Sequence, residues 1–172
     1  MLKQTEHKGF TLIECLVTIS IIAIVMAMAV PSFQQLKAHA QQWQVIYQLQ
    51  AAVLMARHLS IMEQRAILVC PARTGVTMGM SDSPPCGENY AVGVAVWSNH
   101  AVGWRLLRVW QWSSMTITNR RGNRAVSEAI DFNALGLANR NLTWSICVGE
   151  HNLSLVLNRV GRPDVRSNWG LC

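Results

Sequence analysis

The chain has 172 residues and a formal net charge of +6, and 51% of its residues are hydrophobic. This size leaves room for one modest domain with an appended segment rather than for several domains. The apolar excess is concentrated between residues 12 and 30, no repeat or low-complexity tract is visible, and the remainder has an ordinary globular composition.

A short basic leader ends at Lys8 and Gly9, and an apolar run follows from Phe10 until Pro31. As an α-helix, residues 10–30 would reach about 31 Å, the thickness of a bilayer core. Three interpretations fit this pattern. It is a cleaved secretory signal, a plain membrane anchor, or a leader cut between Gly9 and Phe10 that leaves the apolar helix on the mature protein.

One acid, Glu14, interrupts the apolar run near its start and favours the third interpretation. A carboxylate in a membrane segment is expensive to insert, so its presence indicates a function. A secretory signal also needs an unbroken apolar core, and an acid at this position works against that.

The helical pattern continues beyond Pro31, which is a second argument against a discarded signal. Apolar residues recur there at three- and four-residue spacing, so one long helix to about Gln64 explains both parts. Because Pro31 lacks a backbone donor, it predicts a kink or local melting of this helix. The recurring positions are Phe33, Leu36, Ala40, Trp43 and Tyr47.

The sequence Lys-Gly-Phe-Thr-Leu-Ile-Glu at residues 8–14, followed by an apolar helix and a proline, resembles the signature of type IV pilins and pseudopilins. The resemblance implies that a prepilin peptidase cuts after Gly9 and methylates the new terminus at Phe10. It also implies that Glu14 pairs with the amino terminus of a neighbouring subunit during filament assembly. Such pairing is physically sound, because two opposite charges buried in an apolar core neutralise each other.

Short apolar segments separated by Gly-, Ser- and Pro-containing turns predict strands beyond the helix. We expect strands at residues 66–70, 90–97, 104–110, 115–118, 130–132, 142–148 and 153–157, and loops at 71–89 and 119–124. The fold class is α+β and pilin-like, with a long amino-terminal helix packed on an antiparallel β-sheet domain. The expected divisions are a leader (1–9), a transmembrane helix (10–30), its amphipathic continuation (31–64) and a β-rich globular domain (65–172).

Four of the five cysteines lie in the globular part. The resemblance to pilins implies a single-pass protein of the inner membrane with its domain in the periplasm, where disulfides form. Disulfides Cys70–Cys86 and Cys147–Cys172 are then expected. The two cysteine pairs occur together with a Trp-bearing strand, Asn-Ala-Leu-Gly at 133–136 and a late Gly-Arg. This combination resembles the sequences of the GspH/FimT group, which covers minor pilins of type IV pili and the minor pseudopilin of type II secretion.

Arginine carries most of the positive charge, and it pairs well with phosphate while nearby tryptophans can stack on bases. Some members of the GspH/FimT group bind DNA through a carboxyl-terminal Gly-Arg-x-Arg element. Here Gly161 and Arg162 are followed by Pro163 and Asp164, which puts an acid where the second arginine is expected. We favour solvated surface charge or contacts with acidic neighbouring subunits. The candidate DNA-binding residues are Arg105, Arg108, Arg120, Arg121, Arg124, Arg159, Arg162 and Arg166.

No sequence motif indicates catalysis, a metal site or a cofactor, because the histidines lack a matching Ser or Cys arrangement and no Cys-x-x-Cys is present. We therefore expect a protein that is not an enzyme. Its expected partners are other major and minor pilins, the prepilin peptidase, the inner membrane and, as an alternative, DNA. The principal functional hypothesis is a minor type IV pilin that primes assembly or joins a tip complex. The alternatives are a DNA-binding minor pilin for transformation and a minor pseudopilin of type II secretion.

Overall fold

The computed structural model describes residues 11–75 and 79–172. One α-helix, α1, runs from Leu12 to Glu63, close to the expected range. The chain divides between His39 and Ala40 into two compact units, which are described separately here. The strands, in chain order, are β1 (Ile67–Pro71), β2 (Met80–Ser81), β3 (Gly93–His100), β4 (Gly103–Gln111), β5 (Ile130–Phe132), β6 (Leu142–Val148), β7 (His151–Leu157) and β8 (Pro163–Ser167).

The first unit consists of the apolar part of α1, and its described aliphatic side chains are exposed all round the helix. Among the described residues, α1 is the one helix long and apolar enough to cross a membrane. A helix that is apolar on every side needs lipid or protein around it. Helical structure continues on both sides of Pro31, so the local melting expected there is wrong, and a kink stays a prediction.

In the second unit, the remaining part of α1 is amphipathic. Apolar side chains recur on one side at three- and four-residue spacing and are almost fully buried, as the helical period requires. The opposite side exposes Trp43 and Tyr47, whose rings stack at 5.5 Å, together with Leu54. The buried positions are Val45, Ile46, Leu49, Val53 and Ala56.

The strands form two antiparallel sheets. The larger has five strands in the order β2-β4-β3-β1-β5, and the smaller has three in the order β6-β7-β8. The main core combines the buried side of α1 with side chains from both sheets, including Trp144, which meets Tyr90 edge to face at 5.6 Å. A smaller core on the other face of β1 and β3 contains Leu68, Cys70 and Trp97. The prediction of a long helix packed on antiparallel β-structure is confirmed.

Three details of the strand prediction are wrong. Residues 115–118 form no strand, because the N–H of Met115 bonds to Ala91 while that of Thr118 bonds to Ser145, so this segment passes from one neighbour to another. The loop expected at 71–89 contains β2, which pairs with β4. β8 was not expected at all, since its sequence starts with proline and is mostly polar, as suits an edge strand.

Candidate functional site

Thr11 and Glu14 form a reciprocal cap at the amino end of α1. The Glu14 carboxylate oxygen Oε2 accepts hydrogen bonds from the Thr11 N–H and hydroxyl, both at 2.9 Å. In return, the Glu14 N–H donates to Thr11 Oγ1 at 3.3 Å. This is a capping box, in which the side chains three residues apart satisfy each other's backbone donors.

The capping box holds the Glu14 carboxylate at a fixed place beside the first turn. Both hydrogen bonds from Thr11 end on the same carboxylate oxygen, Oε2. The helix dipole also favours a negative charge at this end. Gly9 and Phe10, the predicted cleavage and methylation positions, lie outside the described residues. Sequence reasoning missed Thr11, although the Thr-x-x-Glu spacing is a recognised signal.

Cys70 and Cys86 are joined by a disulfide that closes a loop of sequence separation 16, with their Cα atoms 5.8 Å apart. Cys70 is buried in the smaller core, and the N–H of Gly87 bonds to the Pro71 carbonyl beside it. The bridge therefore fixes the far end of the long loop, at Cys86, against β1.

A second disulfide, Cys147–Cys172, has a sequence separation of 25 and ties the last residue of the chain to β6. Two hydrogen bonds of 2.9 Å reinforce this attachment: the Gly170 N–H donates to Asn152 Oδ1, and the Leu171 N–H donates to the Arg120 carbonyl. The carboxyl-terminal segment is thereby fixed to both the smaller sheet and the loop that contains Arg120.

That segment places Trp169 between two arginines. The guanidinium carbon of Arg120 lies 4.1 Å from the centre of the indole ring, and that of Arg166 lies 4.5 Å from it. Both distances are in the range of cation–π contacts. Arg121 and Arg124 follow Arg120 in the same loop, and this loop lines an open groove of about 560 Å³.

Two carboxylates offset part of this positive charge. Arg166 donates to Asp164 at 2.7 Å, and Arg124 pairs with Glu128. Desolvation alone would raise the pKa of Glu128, but backbone hydrogen bonds and the charges of Arg124 and Arg140 lower it below its ordinary value.

The eight candidate arginines fall into three separate groups. Arg105 and Arg108 lie exposed on β4 of the larger sheet, where Arg108 stacks on Trp110 at 4.8 Å. Arg120 and Arg166 meet at Trp169, and Arg121 and Arg124 line the same groove as Arg120. Arg159 and Arg162 lie in the turn between β7 and β8, which is at the other end of β8 from Arg166. The structure thus brings four of the eight together.

The tryptophans divide between the core and the surface. Trp97 and Trp144 are buried, whereas Trp104, Trp110 and Trp169 are partly exposed. Residues 11–75 and 79–172 contain no group of three His, Cys, Asp or Glu side chains that could hold a metal ion.

Two protein-family models match the chain, one at the amino-terminal apolar helix and one over most of the globular domain. The model of the prokaryotic N-terminal methylation motif matches residues 5–30. The model described as type II transport protein GspH matches residues 46–161, about two thirds of the chain. The chain belongs to the GspH family. Members of this family are pilin-like structural subunits, anchored in a membrane by their apolar helix, processed by prepilin peptidase and assembled with other pilins.

The fold of this GspH-family chain is also similar to that of a solved structure. A crystal structure of the type IV minor pilin FimU from Pseudomonas aeruginosa strain PAO1, in space group P21, aligns with a TM-score of 0.54 and 18% sequence identity. The alignment covers 74% of this chain and 90% of that one. A second crystal form of FimU, in space group P65, aligns with a TM-score of 0.49. The first alignment shows a shared pilin-like fold.

Proposed function

We propose that this GspH-family protein is a minor pilin of a type IV pilus that primes or caps the fibre. Residues 1–9 are the leader, 10–30 the transmembrane helix, 31–64 its amphipathic continuation and 65–172 the globular domain. The anchor lies in the inner membrane before assembly, and the domain lies in the periplasm. This location suits the two disulfides, which form outside the cytoplasm.

The observation that carries the proposal is the carboxylate of Glu14, held by Thr11 at the start of an apolar helix. A charge buried in a filament core is costly unless an opposite charge neutralises it. The new terminal amine that cleavage would create at Phe10 of a neighbouring subunit is such a charge. The carboxylate and the amine would stabilise the assembly only when the two subunits are in register.

The exposed side of α1 in the globular unit supports assembly with other subunits. Trp43, Tyr47 and Leu54 form an apolar strip there, on the side of the helix that is turned away from the core. Exposed aromatic residues on one helix face are typical of protein interfaces.

The direct test is the variant Glu14→Ala in the native host. The variant should still lose its leader, because the cleavage position is unchanged, but it should assemble poorly. Leader removal is measured by intact mass, and piliation is measured by electron microscopy. Normal piliation of the variant would contradict the proposed role.

The same Glu14 chemistry also suits a pseudopilin of type II secretion. We favour the pilus because two disulfides stabilise the domain of a subunit that ends up exposed outside the cell. Deletion of the gene distinguishes the two functions: loss of pili with normal protein secretion supports the pilus, and the opposite result supports the secretion system.

A second candidate function is the capture of DNA, which the arrangement of Trp169 between Arg120 and Arg166 favours. Guanidinium groups pair with phosphates, and Trp169 holds two of them close to each other. Gel-shift titration of residues 32–172 against duplex DNA tests it, and affinity should fall steeply with salt. Arg120→Ala or Arg166→Ala should weaken binding, because these are the arginines that meet at Trp169, with Arg105→Ala as a control on the other sheet. Absence of binding at low salt would exclude this function.

A further inference from the structure

Two turns in the domain share one sequence pattern and one set of hydrogen bonds. Residues 133–137 and 158–162 both read Asn-x-aliphatic-Gly-x. In each turn the glycine N–H donates to the carbonyl of the asparagine at 2.9 Å. The asparagine Oδ1 accepts from the backbone N–H four residues later, at 3.0 Å in both cases. The glycines, Gly136 and Gly161, have φ values of +72° and +77°, a conformation that glycine adopts without strain.

The aliphatic residue at the tip of each turn is exposed. Leu135 is 72% exposed and Val160 is 53% exposed. The hydrogen bonds of the turn involve the asparagine side chain and the glycine backbone, so the fold does not require an aliphatic side chain at the tip. A third turn of this type, beginning at Asn119, carries Arg121 at the equivalent place. The two exposed aliphatic tips therefore need a reason other than the turn itself.

The two tips belong to one surface, because the turns lie side by side. A Cβ atom on Gly161 would collide with the carbonyl oxygen of Gly136, and the Ala138 N–H donates to the Arg159 carbonyl at 3.0 Å. The last turns of α1 adjoin them, since a Cβ on Gly136 would lie 2.6 Å from Ile61 Cδ1. We call this region the paired-turn surface; it comprises Ile61, Leu135, Leu137, Val160, Arg159 and Arg162.

The charge on the paired-turn surface is positive. Arg159 and Arg162 form no ion pair with any residue in the described part of the chain. The closest acid in sequence, Asp164, is already bonded to Arg166 at 2.7 Å. An exposed apolar centre beside two unpaired guanidinium groups is complementary to apolar side chains flanked by carboxylates, and arginine is enriched at such interfaces.

We propose that the paired-turn surface binds a neighbouring pilin subunit that presents apolar side chains flanked by carboxylates. This inference rests on the proposed function, since it names the part of the domain that contacts the next subunit. The aliphatic tips favour a protein over DNA, because phosphate contacts alone would not use Leu135 or Val160.

The test is site-specific photocrosslinking from the full-length protein in piliated cells. A photoreactive residue at position 135 or 160 should give an adduct with another pilin subunit, and the peptide identified by mass spectrometry should contain aliphatic residues next to Asp or Glu. The control is position 102, because Val102 is 78% exposed but lies between β3 and β4 on the larger sheet. Adduct yields at 135 and 160 no greater than at 102, or adducts with DNA, would overturn the proposal.

Charge reversal provides the second arm. Arg162→Glu should lower the adduct yield from position 135 by about tenfold or more, because like charges then face each other across the interface. Arg105→Glu should leave the yield unchanged. When the acidic residue in the cross-linked peptide of the partner is replaced by arginine, the yield with Arg162→Glu should be restored. An unchanged yield for Arg162→Glu, or a lack of restoration, would contradict the charge pairing.

The variant Glu14→Ala separates this proposal from the proposed function. If Glu14→Ala abolishes piliation while positions 135 and 160 give no specific adduct, the protein is a pilin and only the paired-turn surface is wrong. If Glu14→Ala leaves piliation normal, the proposed function itself is wrong. Immunoblots of processed protein check that each substitution at these exposed positions leaves the amount of folded protein unchanged.

Discussion

The carboxylate of Glu14 and the backbone N–H of Thr11 are joined by a hydrogen bond of 2.9 Å, and the reverse bond from Glu14 to Thr11 Oγ1 completes the cap. Glu14 therefore has a role within its own chain, in addition to the predicted pairing with a neighbouring subunit. The two roles make different demands: capping needs an acceptor oxygen, whereas pairing with an amine needs a negative charge.

The variant Thr11→Ala isolates the capping role. It removes the hydroxyl that accepts from Glu14 but keeps the negative charge, so leader removal and piliation should stay close to those of the wild type. Pili counted by electron microscopy and intact mass of the processed subunit measure the two steps. A loss of pili as complete as that of Glu14→Ala would show that the cap, rather than the charge, determines assembly.

Gln42 is a buried polar residue whose removal should destabilise the globular unit. Its amide Nε2 donates to the carbonyls of Ile146 at 2.7 Å and of His151 at 3.2 Å. The variant Gln42→Leu leaves both acceptors without this donor, so the free energy of unfolding should fall by about 1–3 kcal/mol. Gln44→Leu is the matched control, because Gln44 is exposed on the same helix. Equal stabilities in urea unfolding would contradict the assignment.

Removal of the Cys147–Cys172 bridge should release the carboxyl-terminal segment. The double variant Cys147→Ser, Cys172→Ser should lose about 3 kcal/mol of stability, because a 25-residue loop is no longer closed in the unfolded chain. Amide exchange at Gly170 and Leu171 should accelerate, since the hydrogen bonds to Asn152 and Arg120 lose their tether. Unchanged exchange at both amides would mean that the bridge does not hold the segment.

The lowered pKa of Glu128 predicts a loss of stability in acid. A carboxyl with a lowered pKa in the folded state contributes stability above its unfolded pKa of about 4.5, and the contribution disappears as the pH falls through the folded value. Between pH 6 and 3, the free energy of unfolding measured in urea should therefore fall less in Glu128→Gln than in the wild type. The same pH profile in both proteins would exclude this contribution.

Much of the fold could be predicted from the sequence because its signals are local. The helical period predicts the carboxyl end of α1 to within a residue or two, and the short apolar segments predict β1, β4, β5 and β6 to within a residue. The bounds predicted for β3 and β7 differ from the observed ones by three and two residues. The segment 115–118 looks like a strand, but its hydrogen bonds go to two different partners, which no local pattern contains. β8 has too few apolar residues to be recognised before its pairing with β7 is known.

The candidate site shows the same division. The sequence alone singles out Glu14 as an acid in an apolar run, and it also contains the Thr-x-x-Glu spacing that explains the capping conformation of Glu14. The grouping of arginines was not visible, because Arg120 and Arg166 meet at Trp169 only after the carboxyl-terminal segment has folded back onto the loop. Likewise, the two Asn-x-aliphatic-Gly turns lie far apart in sequence and become one surface only through the contact of Gly136 with Gly161.

The most direct test of the account is the incorporation of Glu14→Gln into pili. Glutamine keeps an oxygen that can accept from Thr11, so the cap and leader removal should persist, but it lacks the charge that pairs with a neighbouring amine. Quantitative immunoblots of sheared pili and of the membrane fraction should show processed Glu14→Gln retained in the membrane and absent from the fibre. Incorporation of Glu14→Gln at the wild-type level would contradict the claim that the charge of Glu14 drives assembly.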